Sequence, residues 1–322
     1  MEANNNEYFT LALCLVIIAT SSISVNSQWA QDGVTVAGNH EWGDSGNQLQ
    51  LPEGLFVNDD QTLIIADFGN HRIIEWKVGE KSGQVVADDS CKRIQLCQLK
   101  WPTDVLIDKQ TDSLIVCDHG NRRVVRLPRQ SETSQGEILI DNIYCRGLAM
   151  DHHRYLYVSD YKKHEVRRYQ IGDKNGTLVA GGNGKGIGLN QLNFPSYIFV
   201  DRQQNVYVSD KENHRVMKWN KDAKQGIIVA GDQGEGNGLR QLSNPRGLFV
   251  DTLGTLYVAD SMNHRVMRYS QGSKQSAVIV IGNGRGSEAN HLNELGGLSL
   301  DSRGNLYVVD HYNNRVQRFS LE

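Results

Sequence analysis

The feature that most constrains this chain is a block that recurs six times: an apolar run ending in aspartate, a polar turn, then a basic and apolar run. The copies are LIIADFGNHRIIEW (63–76), LIVCDHGNRRVVRL (114–127), LYVSDYKKHEVRRY (156–169), VYVSDKENHRVMKW (206–219), LYVADSMNHRVMRY (256–269) and LYVVDHYNNRVQRF (306–319). Their strand-ending aspartates, Asp67, Asp118, Asp160, Asp210, Asp260 and Asp310, lie 51, 42, 50, 50 and 50 residues apart. Self-similarity at such a period marks a repeat architecture. The runs of four to six Val, Ile, Leu and Tyr are too short for helices and rich in strand formers.

Two further segments accompany each copy. One precedes it and ends in a polar turn, as in FPSYIFVDRQQN and NPRGLFVDTLGT; the other follows it, as in TLVAGG, IIVAGD and VIVIGN. Four strands per repeat and six repeats predict an all-β, six-bladed β-propeller of four-stranded antiparallel blades. The last copy has no TLVAGG-like segment after Phe319, whereas VTVAG at 34–38 lies before the first blade. The N-terminal strand 34–38 is therefore expected to complete the last blade and remove an exposed sheet edge.

These blocks resemble the NHL family, whose repeat is named for an Asn-His-Leu core. Here the core reads Asn70-His71-Arg72, Asn213-His214-Arg215 and Asn263-His264-Arg265, and the resemblance runs from about residue 34 to the C-terminus. The resemblance implies a propeller that binds protein or RNA, or, as in the related peptide-amidating lyase, an enzyme with a histidine-bound metal in its channel. Fold alone does not choose among these.

Charge is nearly balanced, with 34 Lys+Arg against 37 Asp+Glu, so no broad positive field points to nucleic acid. Residues 1–27, with an apolar stretch from Phe9 to Ala19, read as a signal peptide, leaving 28–322 as a single propeller domain. The expected chain is secreted, monomeric by default, and without a membrane span once the signal is removed. The even count of Cys91, Cys97, Cys117 and Cys145 beyond that segment suits an oxidising compartment. Cys91 and Cys97 are the first choice for a short-loop disulfide, leaving Cys117 and Cys145 to pair or stay reduced. Asn175-Gly176-Thr177 is an N-glycosylation sequon in a turn-like stretch.

The repeated histidines His71, His164, His214 and His264 fall in different blades and cannot share one ion, so they read as turn chemistry. The strand-ending aspartates are expected to accept hydrogen bonds from nearby backbone N–H groups. The stretches GGNGKGIG, GDQGEGNG and GNGRGS run on into strands rather than helices, so they do not read as phosphate loops. No cofactor and no metal site is expected.

Two places remain for function. Residues at the start of each innermost strand should line the channel mouth, and among them Glu53, Asp104, Arg146, Tyr197 and Arg246 carry chemistry. Residues in the loops of one face vary from blade to blade: His119, Arg122, Tyr161, Lys162, Lys163, Lys211, His311 and Tyr312. Blades 2 and 3 also concentrate Arg122, Arg123, Arg126, Lys162, Lys163, Arg167 and Arg168 into an expected basic patch suited to an acidic protein or glycan. The leading reading is an extracellular binding or scaffold module using its loop-rich face, more a binder than an enzyme. The alternative is a channel-centred metal-dependent lyase or lactonase-like hydrolase.

Overall fold

Each repeat folds into antiparallel strands because its apolar residues come in short alternating runs cut by turn residues. The computed structural model describes residues 23–24, 27–39, 41–90, 95–129, 136–270 and 277–322. Among the described residues six four-stranded sheets form; five run outward from the axis in chain order, and the sixth takes its outermost strand from the N-terminal end. In blade 1 the strands are Leu55–Val57, Thr62–Asp67, Arg72–Lys77 and Gln84–Ala87; the innermost strands of blades 2 to 6 begin at Pro102, Cys145, Pro195, Pro245 and Leu295. Neighbouring innermost strands pack on one another around the whole circle, including blade 6 on blade 1. The core is layered between blades: Val57, Leu63 and Trp76 of blade 1, for example, pack with Tyr307, Val309 and Val316 of blade 6.

The outermost strand of blade 6 is Val34–Ala37, as expected, paired Val34 to Arg318 and Thr35 to Gln317. The closure extends further upstream than the sequence indicated. Trp29 is buried, bridges to Leu321, and donates its indole N–H to the Gly304 carbonyl at 2.9 Å. Ala30 N donates to Ser320 O, and Glu322 N to Gln28 O, so both chain ends are sewn together. Of the expected signal segment, residues 1–22 and 25–26 lie outside the described residues; Ile23 is buried in the same cluster as Trp29, Leu306 and Phe319. No helix among the described residues is long and apolar enough to cross a membrane.

The repeated turn residues divide their work. Asp67 accepts Gln50 N at 2.7 Å from the incoming loop, and its other oxygen takes Asn70 Nδ2 and Arg72 Nε. Arg72 also donates to the Asp44 and Gln48 carbonyls of that loop. Asp210, Asp260 and Asp310 repeat the pattern with Arg215, Arg265 and Arg315, and Asp118 with Arg123. The histidine does something else. It sits in the left-handed region at φ 53–55°, and its Nδ1 accepts a backbone N–H of the next blade: His71 from Trp101, His164 from Phe194, His214 from Asn244 and His264 from Glu294. Where they are present, asparagine and arginine tie the turn to the loop before it, whereas histidine ties it to the blade after it.

The seam between blades 2 and 3 lacks both devices, and this explains its short repeat spacing. Only four residues separate Ile140 from Cys145, so there is no long loop for an arginine to hold, and Glu165 stands where the arginine would be. Arg122, which cannot accept a hydrogen bond, replaces the histidine. A disulfide between Cys117 and Cys145, with Cα atoms 5.9 Å apart, crosses this seam instead. Closing 28 residues of chain in this way stabilises by about 3–4 kcal/mol in the loop-entropy picture. The Cys117→Ala/Cys145→Ala double variant should unfold at correspondingly lower urea than oxidised wild type; an unchanged midpoint would show that the bond staples nothing. Cys97 is also disulfide-bonded, and the expected Cys91–Cys97 pairing lies outside the described residues because Cys91 does.

Candidate functional site at the propeller mouth

The start of each innermost strand faces the axis, where six side chains of ordinary size cannot share one layer. Large and small residues therefore alternate. At the first such position Glu53, Arg146 and Arg246 come from blades 1, 3 and 5, with Thr103, Ser196 and Gly296 between them. One residue further in the alternation reverses: Asp104 and Tyr197 come from blades 2 and 4, and glycines fill blades 1, 3, 5 and 6. The glycines are required by close approach, since a Cβ on Gly147 would lie 2.5 Å from the Ser196 carbonyl.

Glu53 is the hub of the outer layer. Its Oε1 accepts Arg146 Nη2 at 2.7 Å and Arg246 Nη1 at 3.4 Å, and its Oε2 accepts the Tyr197 hydroxyl at 3.3 Å. Burial alone would push the Glu53 carboxyl up, but Arg146 and Arg246, helped by His311 and Lys211, outweigh it and hold it at about 2. Asp104 lies beneath. Among the described residues it accepts only backbone N–H groups, from Val105 and Leu148, and burial pushes it up to about 7. Burial, with Glu53 and Asp104 close by, raises the Tyr197 hydroxyl well above its usual value.

Around this layer stands a second circle, formed by the residue after each strand-ending aspartate: Phe68, His119, Tyr161, Lys211, Ser261 and His311. His119 Nδ1 lies 2.9 Å from the Cys145 carbonyl and His311 Nδ1 lies 2.8 Å from that of Pro52. A carbonyl can only accept, so both rings carry their proton on Nδ1 and leave Nε2 as an acceptor. Burial first, then the neighbouring arginines, lowers both histidines; burial followed by Arg246 and Arg146 lowers Lys211. An aromatic wall completes the mouth, with His119 stacked 5.3 Å from Tyr161, Tyr161 4.6 Å from Phe194, and Lys211 Nζ 5.1 Å over Phe194.

The two residue sets that the sequence separated, channel mouth and variable loops, are thus largely one site. Glu53, Arg146, Tyr197, Arg246, His119, Tyr161, Lys211 and His311 converge, and Asp104 lies beneath them at the head of the channel. Tyr312 sits outside on the rim against His311, Lys162 lies over the outer side of Tyr161, and Arg122 donates to the Tyr144 hydroxyl. Lys163 falls in the seam cleft between blades 2 and 3. The expected basic patch does not form as one surface. Arg123 is spent on Asp118, Arg126 pairs with Glu137, Arg167 with Glu165, and Arg168 lies over Tyr155. Successive residues along a strand point to opposite faces, so their adjacency in sequence is lost in space.

Sequence reasoning missed Trp101, Phe194 and Glu294. They occupy the position just before the innermost strand, at φ 50–58°, and are those whose N–H the repeated histidines hold. Their variability among otherwise similar repeats was the available signal.

The mouth does not fit a histidine-bound metal of the kind the family resemblance implied. His119 and His311 stand on blades 2 and 6, the Glu53 carboxylate is taken by two guanidinium groups, and among the described residues no three His, Cys, Asp or Glu converge to hold an ion. Inward from the mouth runs an apolar tunnel of about 190 Å³, lined by the innermost strands of all six blades.

Comparison with known proteins agrees with this architecture. The NHL repeat family model matches residues 242–269 and 292–319. No curated protein sequence matches the chain. Among solved structures, the chain is similar to an auxiliary nutrient binding protein from Bacteroides thetaiotaomicron, with TM-score 0.70 and 16% identity over 92% of this chain and 77% of that one. It is similar to a gluconolactonase from Xanthomonas campestris, with TM-score 0.63 and 15% identity over 92% and 97%. It is also similar to virginiamycin B lyase from Staphylococcus aureus, with TM-score 0.54 and 10% identity over 88% and 99%. At such identities the likeness is one of fold, and the neighbours include both binding proteins and enzymes.

Proposed function

From the premise that this chain is an NHL-repeat β-propeller, we propose that it is an extracellular binding module whose mouth captures an acidic glycan. One observation carries this reading: Arg146, Arg246 and Lys211 converge beside the wall of His119, Tyr161 and Phe194, where Glu53 and Glu294 pair with the arginines and the half-exposed Glu212 with Lys211. Basic groups suit uronate or sulfate, and flat aromatic faces suit the apolar side of a sugar ring. The Cys117–Cys145 disulfide supports an oxidising compartment. Asn175 lies exposed in the turn before the outermost strand of blade 3, where it is expected to carry an N-glycan.

The test is calorimetric titration with a sulfated or uronate-bearing octasaccharide against a neutral one. The acidic ligand should bind, weaken as salt rises, and lose about tenfold in affinity in Lys211→Ala and again in Tyr161→Ala, roughly 1.4 kcal/mol each. Both substitutions leave the Glu53 layer intact. Folded variants that bind as well as wild type would sink the proposal.

A further inference from the structure

Asp104 has no part in the mouth. Its carboxyl is sealed beneath the Glu53 layer and lines the closed end of the apolar tunnel. No basic side chain is hydrogen-bonded to it or within ion-pair distance among the described residues; its bonds come from Val105 N and Leu148 N. Of the charges above it, the Glu53 carboxylate acts on it more strongly than the Arg146 guanidinium, and Tyr197 stands beside it as a neutral phenol. An ammonium entering this end of the tunnel meets a carboxyl held, among the described residues, by backbone N–H groups alone. Leading away from it are Ile107, Leu148, Met150, Ile198, Val250 and Leu300, the last of these at the opposite end of the innermost strands.

We propose that the tunnel is a binding site for a linear primary alkylamine, its ammonium on Asp104 and its chain along the strands toward the face opposite the mouth. The folded protein already bears the cost of desolvating Asp104, so an incoming ammonium gains a partner whose burial is complete before it arrives. A dry apolar cavity near 150 Å³ is large enough for a molecule of benzene size, so about 190 Å³ admits a short alkyl chain. The three residues from Asp104 to Ile107 span about 10 Å, which matches roughly seven methylenes. The site is separate from the mouth and stands or falls independently of what binds there.

The probes are heptylamine, heptan-1-ol and heptanoate, titrated calorimetrically into the full chain at pH 6 and pH 8. Heptylamine should bind one to one and at least tenfold tighter than heptanol at pH 8, with heptanoate weakest. The preference should shrink at pH 6, because the Asp104 carboxyl gains its proton as pH falls through about 7. Amine binding near pH 7 should also release a proton, visible as a dependence of the heat on buffer ionisation enthalpy. Asp104→Asn should bring the amine down to the level of the alcohol. Leu298→Phe, which fills the tunnel, should weaken both ligands, and the Asp104→Asn comparison holds even if that variant folds poorly. Absence of amine binding, or an amine preference that survives Asp104→Asn, would overturn the assignment.

Discussion

Replacing Glu53 by glutamine is expected to destabilise the propeller by about 3–5 kcal/mol at neutral pH, the usual cost of stranding buried charge by removing its partner. Arg146 and Arg246 would lose the carboxylate that joins blades 1, 3 and 5 across the axis. The pH dependence distinguishes this from lost packing. The folded-state pKa of Glu53 is depressed from 4.5 to about 2, so its stabilisation is complete above 4.5 and disappears as pH falls toward 2. That shift corresponds to about 3 kcal/mol. The gap in denaturant midpoint between wild type and Glu53→Gln should be widest at pH 7 and narrow progressively below pH 4.5. A gap that stays constant down to pH 2 would mean that shape, not charge, holds the layer together. The same substitution should tighten binding of the acidic octasaccharide, since it removes a carboxylate that competes for the arginines. A variant both less stable and tighter-binding is hard to explain unless Glu53 occupies the ligand's cradle.

The second large effect concerns closure. Deleting residues 34–37 should abolish cooperative unfolding, because it leaves the edge of Arg315–Phe319 unpaired and opens the ring between first and last blades. Trp29→Ala is the milder probe. It removes a fully buried indole and its bond to the Gly304 carbonyl, and should cost about 3–5 kcal/mol, lowering the melting temperature by roughly 10 °C. An exposed control, Trp42→Ala in the loop before blade 1, should change stability by less than about 0.5 kcal/mol. Equal effects at the two tryptophans would contradict the sewn-end arrangement.

Much of this molecule was legible in its sequence because its blades are built from local signals. Alternating apolar runs, turn residues and a repeat near fifty positions act within a few residues of one another, so six four-stranded blades and closure by VTVAG followed directly. The strand-ending aspartates were legible as hydrogen-bond acceptors for the same reason, although the N–H groups they take come from the incoming loop, as with Gln50 on Asp67. The direction of the histidine bond was not legible, since Nδ1 of His71 reaches a backbone N–H 30 residues on.

What only the tertiary structure decided was which side chains meet. Glu53 lies 93 residues from Arg146 and 193 from Arg246, and nothing local couples them. They converge because a closed ring brings equivalent positions of different blades to one axis, where limited space forces large side chains onto alternate blades. The same closure merged channel and loop residues into one mouth. It scattered the basic run of blades 2 and 3, because strand alternation and ion pairs with Asp118, Glu137 and Glu165 direct those side chains apart. Repetition in sequence determined the frame, and convergence across blades, which depends on contacts between distant residues, determined the chemistry at its centre.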